Sequence, residues 1–250
     1  MQKIGDAMGP SWAVVSTMDE PAQLVVTFAA YHLSIGASEV HIYLDQPDPE
    51  AEALLARLPN CFVTVCDLAF WRSTPLGRRP LRHFNRQILN AERAYARTGA
   101  DWILHCDADE YVADASGIAA ELAAAPDKVM AFKYQMAERA GLIGQVPEHI
   151  FEGVFRIPFR EFEQDASDIY GHSTGFFRSG ITGHTAGKSI VRAHCGMQLA
   201  IHAPRGKPPT RTVEGSRLLH FDGLTRLHYM IKLLRRAYEP EGRGNKRHGV

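Results

Sequence analysis

The chain has 250 residues, of which 45% are hydrophobic, enough to bury a real core as one globular unit. Lysine plus arginine and aspartate plus glutamate each number 28, so no overall basic excess points to nucleic acid as a partner, and any phosphate binding has to be local. No apolar run approaches the roughly 20 residues of a membrane span, the opening "MQKIGDAMGPSWAVVS" lacks the apolar core of a signal peptide, and Cys61, Cys66, Cys106 and Cys195 show no CxxC spacing. These features predict a soluble cytoplasmic protein with reduced thiols and no zinc, at most peripheral at the inner membrane face.

In chain order, "WAVVST" (12–17) reads as a strand, and Pro21 opens a helix that Gly36 closes. "EVHIYL" (39–44) is a strand, "DPEAEALLARL" (48–58) a helix, "CFVTVCDL" (61–68) a strand and "HFNRQILNAERAYART" (83–98) a long helix stopped at Gly99. "DWILHC" is the next strand, "SGIAAELAAA" (116–125) a helix and "KVMAFKYQM" (128–136) a strand. Strand and helix alternating about every dozen residues predict an α/β protein with a mostly parallel, Rossmann-like sheet covered by helices on both faces. From Glu138 to Pro209 the text is rich in glycine, histidine and arginine and reads as an irregular lobe, followed by a helix over 222–238 and a polar, glycine-rich tail over 239–250.

The chemistry concentrates in "HCDADEYV" (105–112), where Asp107, Asp109 and Glu110 follow an apolar strand. Three carboxylates there repel one another unless a cation sits between them. In an extended chain Asp107 and Asp109 face one side, roughly 7 Å apart at about 3.3 Å per residue, a gap that admits a divalent ion. Ligands of open α/β sheets bind beyond the carboxyl ends of the strands, which is where this cluster falls. Hard carboxylates favour Mg²⁺ or Mn²⁺ completed by substrate phosphate oxygens. A bare DxD is also compatible with a solvated acidic turn.

"VVSTMDEPAQLVVTFAAYHLSIGASEVHIYLDQPD" followed by "RHFNRQILNAERAYARTGADWILHCDADEYV" resembles the glycosyltransferase family 2-like group with a GT-A fold, over roughly residues 12–135. The likeness continues more loosely through "GHTAGKSIVR" and "LLHFDG". It implies a nucleotide-sugar-binding half over 12–135 and an acceptor half over 136–238. It further implies Asp107 and Asp109 as the DxD pair, with Asp109 the direct metal ligand and Asp107 nearer the sugar or ribose. Asp19, Glu20 and Asp45 become nucleotide contacts, although "TMDEP" stands where many relatives have Asn before the Glu. His220 in "LLHFDG" becomes a third metal ligand, with His202 a weaker alternative among twelve histidines.

Lys188 in "GHTAGKS" (183–189) could neutralise a diphosphate, but only three residues separate Gly183 from Gly187, so the phosphate-loop spacing fails and a surface turn is an equal reading. Arg82 and Gln87 either touch the nucleotide or pair on the helix surface, and Arg178 and Arg192 carry the same ambiguity. In inverting relatives a carboxylate takes the proton of the acceptor hydroxyl; Asp168, Asp165 and Glu163 in "REFEQDASDIYGH" are candidates, Asp168 first, beside the alternative of a solvated acidic loop. The resemblance therefore implies transfer of a sugar from a nucleotide-diphosphate sugar, a UDP-sugar first, to a glycan or lipid-linked acceptor, in surface glycan synthesis. Rival readings are an inactive sugar-nucleotide scaffold, a nucleotidyltransferase and a DxD phosphohydrolase. The last usually carries its motif on the first strand with Thr or Val at the fifth position, where this chain has Tyr111.

Overall fold

The computed structural model describes residues 9–142, 144–159, 162–183 and 185–238. Its first strand, Trp12–Met18 (β1), is buried along its whole length. Trp12, Val14 and Met18 pack with Val25, Phe28 and Ala29 of helix Ala22–Ser34 (α1), while Ala13 and Val15 join Ala91 and Ala94 of helix His83–Tyr95 (α4) on the opposite face. Burial on both faces explains why this strand reads as a continuous apolar run rather than an alternating one.

Pro21 immediately precedes α1 rather than standing inside it, and Gly36 follows with φ of +101°. Strand Glu39–Leu44 (β2) leads to helix Pro49–Leu55 (α2), whose start is fixed by the Asp48 carboxylate accepting from the amides of Glu50 and Ala51. Strand Cys61–Val65 (β3) ends earlier than the sequence predicts, because Asp67 caps a short helix, Leu68–Arg72 (α3), through the amide of Phe70. Strand Trp102–His105 (β4) then brings the acidic cluster to its carboxyl end.

The large sheet runs β3, β2, β1, β4 in parallel. Beyond β4 lie Ser189–Arg192 (β9), antiparallel to it, then Ala131–Lys133 (β6), and at the edge Thr210–Thr212 (β10), parallel to β6. The large sheet thus takes two of its strands from beyond residue 136. A second sheet has the order Glu110–Val112 (β5), Leu218–His220 (β11), Met136–Ala140 (β7) and Val154–Arg156 (β8). The single strand expected over 128–136 is therefore two, β6 and β7, in different sheets. Its corner is the buried Tyr134, whose amide donates to Lys188 O at 2.8 Å.

Helix Ala115–Ala123 (α5) follows β5, and Phe162–Tyr170 (α6) replaces the acidic loop expected around Asp165 and Asp168. The final helix, Arg226–Tyr238 (α7), begins where the Thr225 hydroxyl accepts from the amide of His228 at 3.1 Å. The proposed tail over 239–250 lies outside the described residues, as does His184. Among the described residues no helix is long and apolar enough to cross a membrane.

Candidate active site

The acidic cluster is not extended. Residues after β4 turn, with the amide of Glu110 donating to Asp107 O at 3.1 Å and the Asp107 amide donating to the Glu110 carboxylate at 2.7 Å. The turn separates the two aspartates that the sequence sets on one side. Asp107 is held by Gln87 Nε2 at 2.6 Å on one oxygen and by Lys188 Nζ at 2.9 Å on the other. Asp109 instead faces His220 Nε2 at 3.5 Å and the ammonium of Lys232.

Pairing of β5 with β11 explains how residues 110 positions apart meet. Leu218 opposes Val112 and His220 opposes Glu110, and the Phe221 amide continues the ladder to Asp109 O at 2.9 Å. Alternate residues of an extended chain share a side, so His220 and Asp222 both come over Asp109. Asp109, His220 and Asp222 offer ligand atoms within 4.8 Å of one another. Asp222, rather than Asp107, lies with Asp109 and His220 in this cluster. It stood two residues from His220 in "HFDG", a period-2 relationship that would have pointed to it.

One imidazole nitrogen and two carboxylate oxygens form a donor set that suits Mn²⁺ or Mg²⁺. The Lys232 ammonium lies in that cluster, 3.1 Å from Asp222 Oδ1, so a cationic group stands where the donors converge. His220 turns its other nitrogen, Nδ1, toward Glu138 at 3.8 Å. Glu138 is buried and fixed by Thr182 N and Oγ1, both at 2.8 Å, Gly183 N at 2.7 Å and Arg156 Nη2 at 2.7 Å. A carboxylate on the far side of the ring is where one stands when it orients a ligating imidazole, although 3.8 Å is longer than a direct hydrogen bond; nothing in the sequence marked Glu138.

Electrostatics follow the geometry. Burial works to raise the Asp109 carboxyl, but His220 and Lys232 outweigh it and hold it well below the usual carboxylate range. For Asp107 the burial effect is outweighed by Lys188, leaving it at about 2. Glu110, with no such net compensation, is pushed up by burial to about 7. Burial would lower Lys188, yet Glu110 and Asp107 keep it firmly charged. Lys188 is fully buried, which removes it from the surface-turn reading. It reaches the carboxylates because Gly187, at φ of +61°, lets the backbone pass Tyr134 O, which a Cβ there would approach to 2.0 Å.

Other expected residues are distributed around this centre. Asp45 is buried, with its oxygens bound by Arg86 Nε and Nη2, each at 2.7 Å, and by Arg79 at 2.8 Å. Its carboxylate is committed to two arginines, and Arg86 rather than Arg82 is the buried cation of α4. Arg82 precedes that helix with its guanidinium 5.7 Å from the Phe84 ring centre. Arg192 lies over Trp102 in the interior of the sheet, and His202 Nδ1 contacts Gly187 O at 3.0 Å rather than joining the ligand cluster. Glu20 receives His228 Nε2 at 3.1 Å, and Asp19 O accepts from Arg235 at 2.8 Å. Asp165 and Asp168 are exposed on α6.

A mostly parallel sheet flanked by helices on both faces, with the acidic cluster at the β4 carboxyl end, matches the architecture expected from the sequence; the antiparallel β9 and the turn in the cluster are additions of the structure. The fold is GT-A-like. Solved structures similar to this chain include a mannosyltransferase from Pyrobaculum calidifontis in complex with GDP-mannose and Mn²⁺, at 14% identity over 51% of this chain and 36% of that one, with a TM-score of 0.36. GalNAc-T7 with UDP, GalNAc and Mn²⁺ matches at 12% identity over 90% of this chain and 48% of that one, with a TM-score of 0.48. TarS 1–349 of S. aureus matches at 13% identity over 57% and 40%, with a TM-score of 0.31. The chain spans less than half the length of each of these proteins. No protein-family model and no curated protein sequence matches it.

Proposed function

We propose that the protein is a metal-dependent glycosyltransferase that takes a nucleotide-diphosphate sugar, a UDP-sugar first, and transfers the sugar to a hydroxyl of a glycan or lipid-linked acceptor in surface glycan synthesis. The observation that carries this reading is the convergence of Asp109, His220 and Asp222 within 4.8 Å at the carboxyl end of the sheet. Bound there, Mn²⁺ or Mg²⁺ would supply positive charge against the negative charge that develops on the leaving diphosphate.

The chain's own residues prepare the remainder of the site. Gln87 and Lys188 fix both oxygens of Asp107 and so hold it in one orientation, facing the sugar or ribose in this reading. Asp19 and Glu20, just past β1, receive the nucleoside, and Arg82 at the head of α4 is a further nucleotide contact in this reading. Asp45, locked by Arg79 and Arg86, serves as a rigid wall rather than a free acceptor. In an inverting displacement the acceptor oxygen bonds to the anomeric carbon as the bond to the diphosphate breaks, and the hydroxyl proton goes to a carboxylate of α6, Asp168 ahead of Asp165. A phosphohydrolase would need Asp107 as a nucleophile, and two donors already occupy its oxygens.

The test is release of nucleoside diphosphate from UDP-, GDP-, CDP- and ADP-sugars with Mn²⁺, with and without chelator. One donor consumed only with metal, and not by Asp109→Ala, supports the reading. No consumption of any donor in the presence of glycan or lipid-linked acceptor extracts favours a binding scaffold.

A further inference from the structure

The last helix, α7, is docked the opposite way to an ordinary surface helix. An amphipathic helix normally turns its apolar stripe to the core. Here Leu227, Met230, Leu234 and Tyr238 are all exposed, between 55% and 83% of their full extent. The face turned to the protein carries His228, Lys232 and Arg235, at i, i+4 and i+7. Each meets an acidic residue of the candidate site: His228 meets Glu20 at 3.1 Å, Lys232 meets Asp109 and Asp222, and Arg235 meets Asp19. The helix is held over the site by charge pairs and not by apolar burial.

Its start is a sharp glycine turn. Gly223 has φ of +88°, and a Cβ there would come within 2.6 Å of Tyr229 Cβ, so the chain turns sharply immediately before the helix. Arg139 anchors that turn by donating to Gly223 O at 2.7 Å and Leu224 O at 3.2 Å. His228 Nδ1 accepts from the Leu224 amide at 3.2 Å, which leaves Nε2 to donate to Glu20 at 3.1 Å.

We infer that Lys232 is an internal occupant of the cation position, and that α7 is a latch that must lift before a divalent ion and donor can bind. This rests on the proposed metal site and adds a residue and a conformational step to it. The ammonium and a divalent ion compete for the same Asp109 and Asp222 oxygens, so binding of the ion is reduced by the fraction of molecules in which the latch is open. Once displaced, the same row of basic side chains lies beside the space a diphosphate would enter, whose charge it would match.

The test is Mn²⁺ affinity by electron paramagnetic resonance for the wild type, Lys232→Met and Arg235→Gln, with hydrogen exchange of 226–238 followed alongside. Lys232→Met removes the competitor; Arg235→Gln loosens the latch without altering the ligand cluster. Both variants are expected to bind Mn²⁺ more tightly, Lys232→Met by about tenfold or more, and Mn²⁺ is expected to speed exchange in α7 of the wild type. Tightening in Lys232→Met alone, with exchange of α7 unchanged, would reduce the effect to local charge and overturn the latch. Equal affinity in all three proteins overturns it while leaving the metal site intact. Absence of Mn²⁺ binding in all three removes the metal site and the latch together.

Discussion

Lys188 Nζ, with no exposure to solvent, lies 2.9 Å from Asp107 Oδ2. The same ammonium is 3.5 Å from Glu110, so one buried cation faces two carboxylates at the end of β4. Removing one partner of a buried pair leaves the other charge uncompensated, at a cost of about 3–5 kcal/mol. Lys188→Met is expected to lose about that much in urea unfolding, and Lys188→Met with Asp107→Asn to regain part of it. A double-variant loss equal to the sum of the losses in Lys188→Met alone and Asp107→Asn alone would show that the pair is not coupled.

Gly187 admits no side chain. A left-handed alanine costs about 1–2 kcal/mol, and here its Cβ would also meet Tyr134 O at 2.0 Å. Gly187→Ala should therefore lower the melting temperature more than Gly36→Ala, whose φ is also positive but whose Cβ would meet nothing within 4 Å. The two melting curves, compared directly, check this.

Glu138 orients His220 without standing among the ligands. Replacing such a carboxylate typically weakens metal binding about 10–100-fold. Glu138→Gln should lose Mn²⁺ affinity on that scale while keeping its fold by circular dichroism. Unchanged affinity would mean that β11 alone positions the imidazole.

His32 offers a pH test away from the site. Its ring is buried between Phe28 and Tyr111, and burial pushes it down to about 4, with Nδ1 donating to Phe28 O at 2.9 Å. Its folded value lies below the unfolded value of about 6.5, so the unfolded chain takes up the proton first. The stability contributed by neutral His32 is complete above pH 6.5 and lost as pH falls toward 4, roughly 3 kcal/mol in all. His32→Gln should flatten the fall in urea midpoint over that window; parallel profiles for the two proteins would contradict the assignment.

The first half of the fold was legible because each element carries its own local signal. Asp48 with Pro49 marks a helix start, Gly36 a helix end, and β1, β2 and β4 are apolar runs buried on both faces. The corner at Tyr134 was hidden, since buried Phe132, Tyr134 and Met136 alternate with exposed Lys133 and Gln135 as they would in one continuous strand, and neither glycine nor proline interrupts the run. Within the candidate site, residue type and context singled out Asp109, His220, Gln87 and Lys188 as candidates. Asp222, Glu138, Arg86 and Lys232 were not, because their roles come from the pairing of β5 with β11 and from the seating of α7, relationships between segments far apart in the chain. The even spacing assumed for Asp107 and Asp109 failed for a local reason, the turn that Glu110 closes on Asp107.

The most direct test of the central claim is a thermal-shift panel of UDP, GDP, CDP and ADP, each with and without Mn²⁺, on the wild type, Asp109→Ala and Asp222→Asn. A ligand at 100 times its dissociation constant stabilises by about 2.7 kcal/mol, or about 5–10 °C at this size. The account predicts that one nucleotide shifts the wild-type melt only with Mn²⁺ and that both variants lose the shift. A nucleotide shift that is independent of metal, or that survives in both variants, would contradict it.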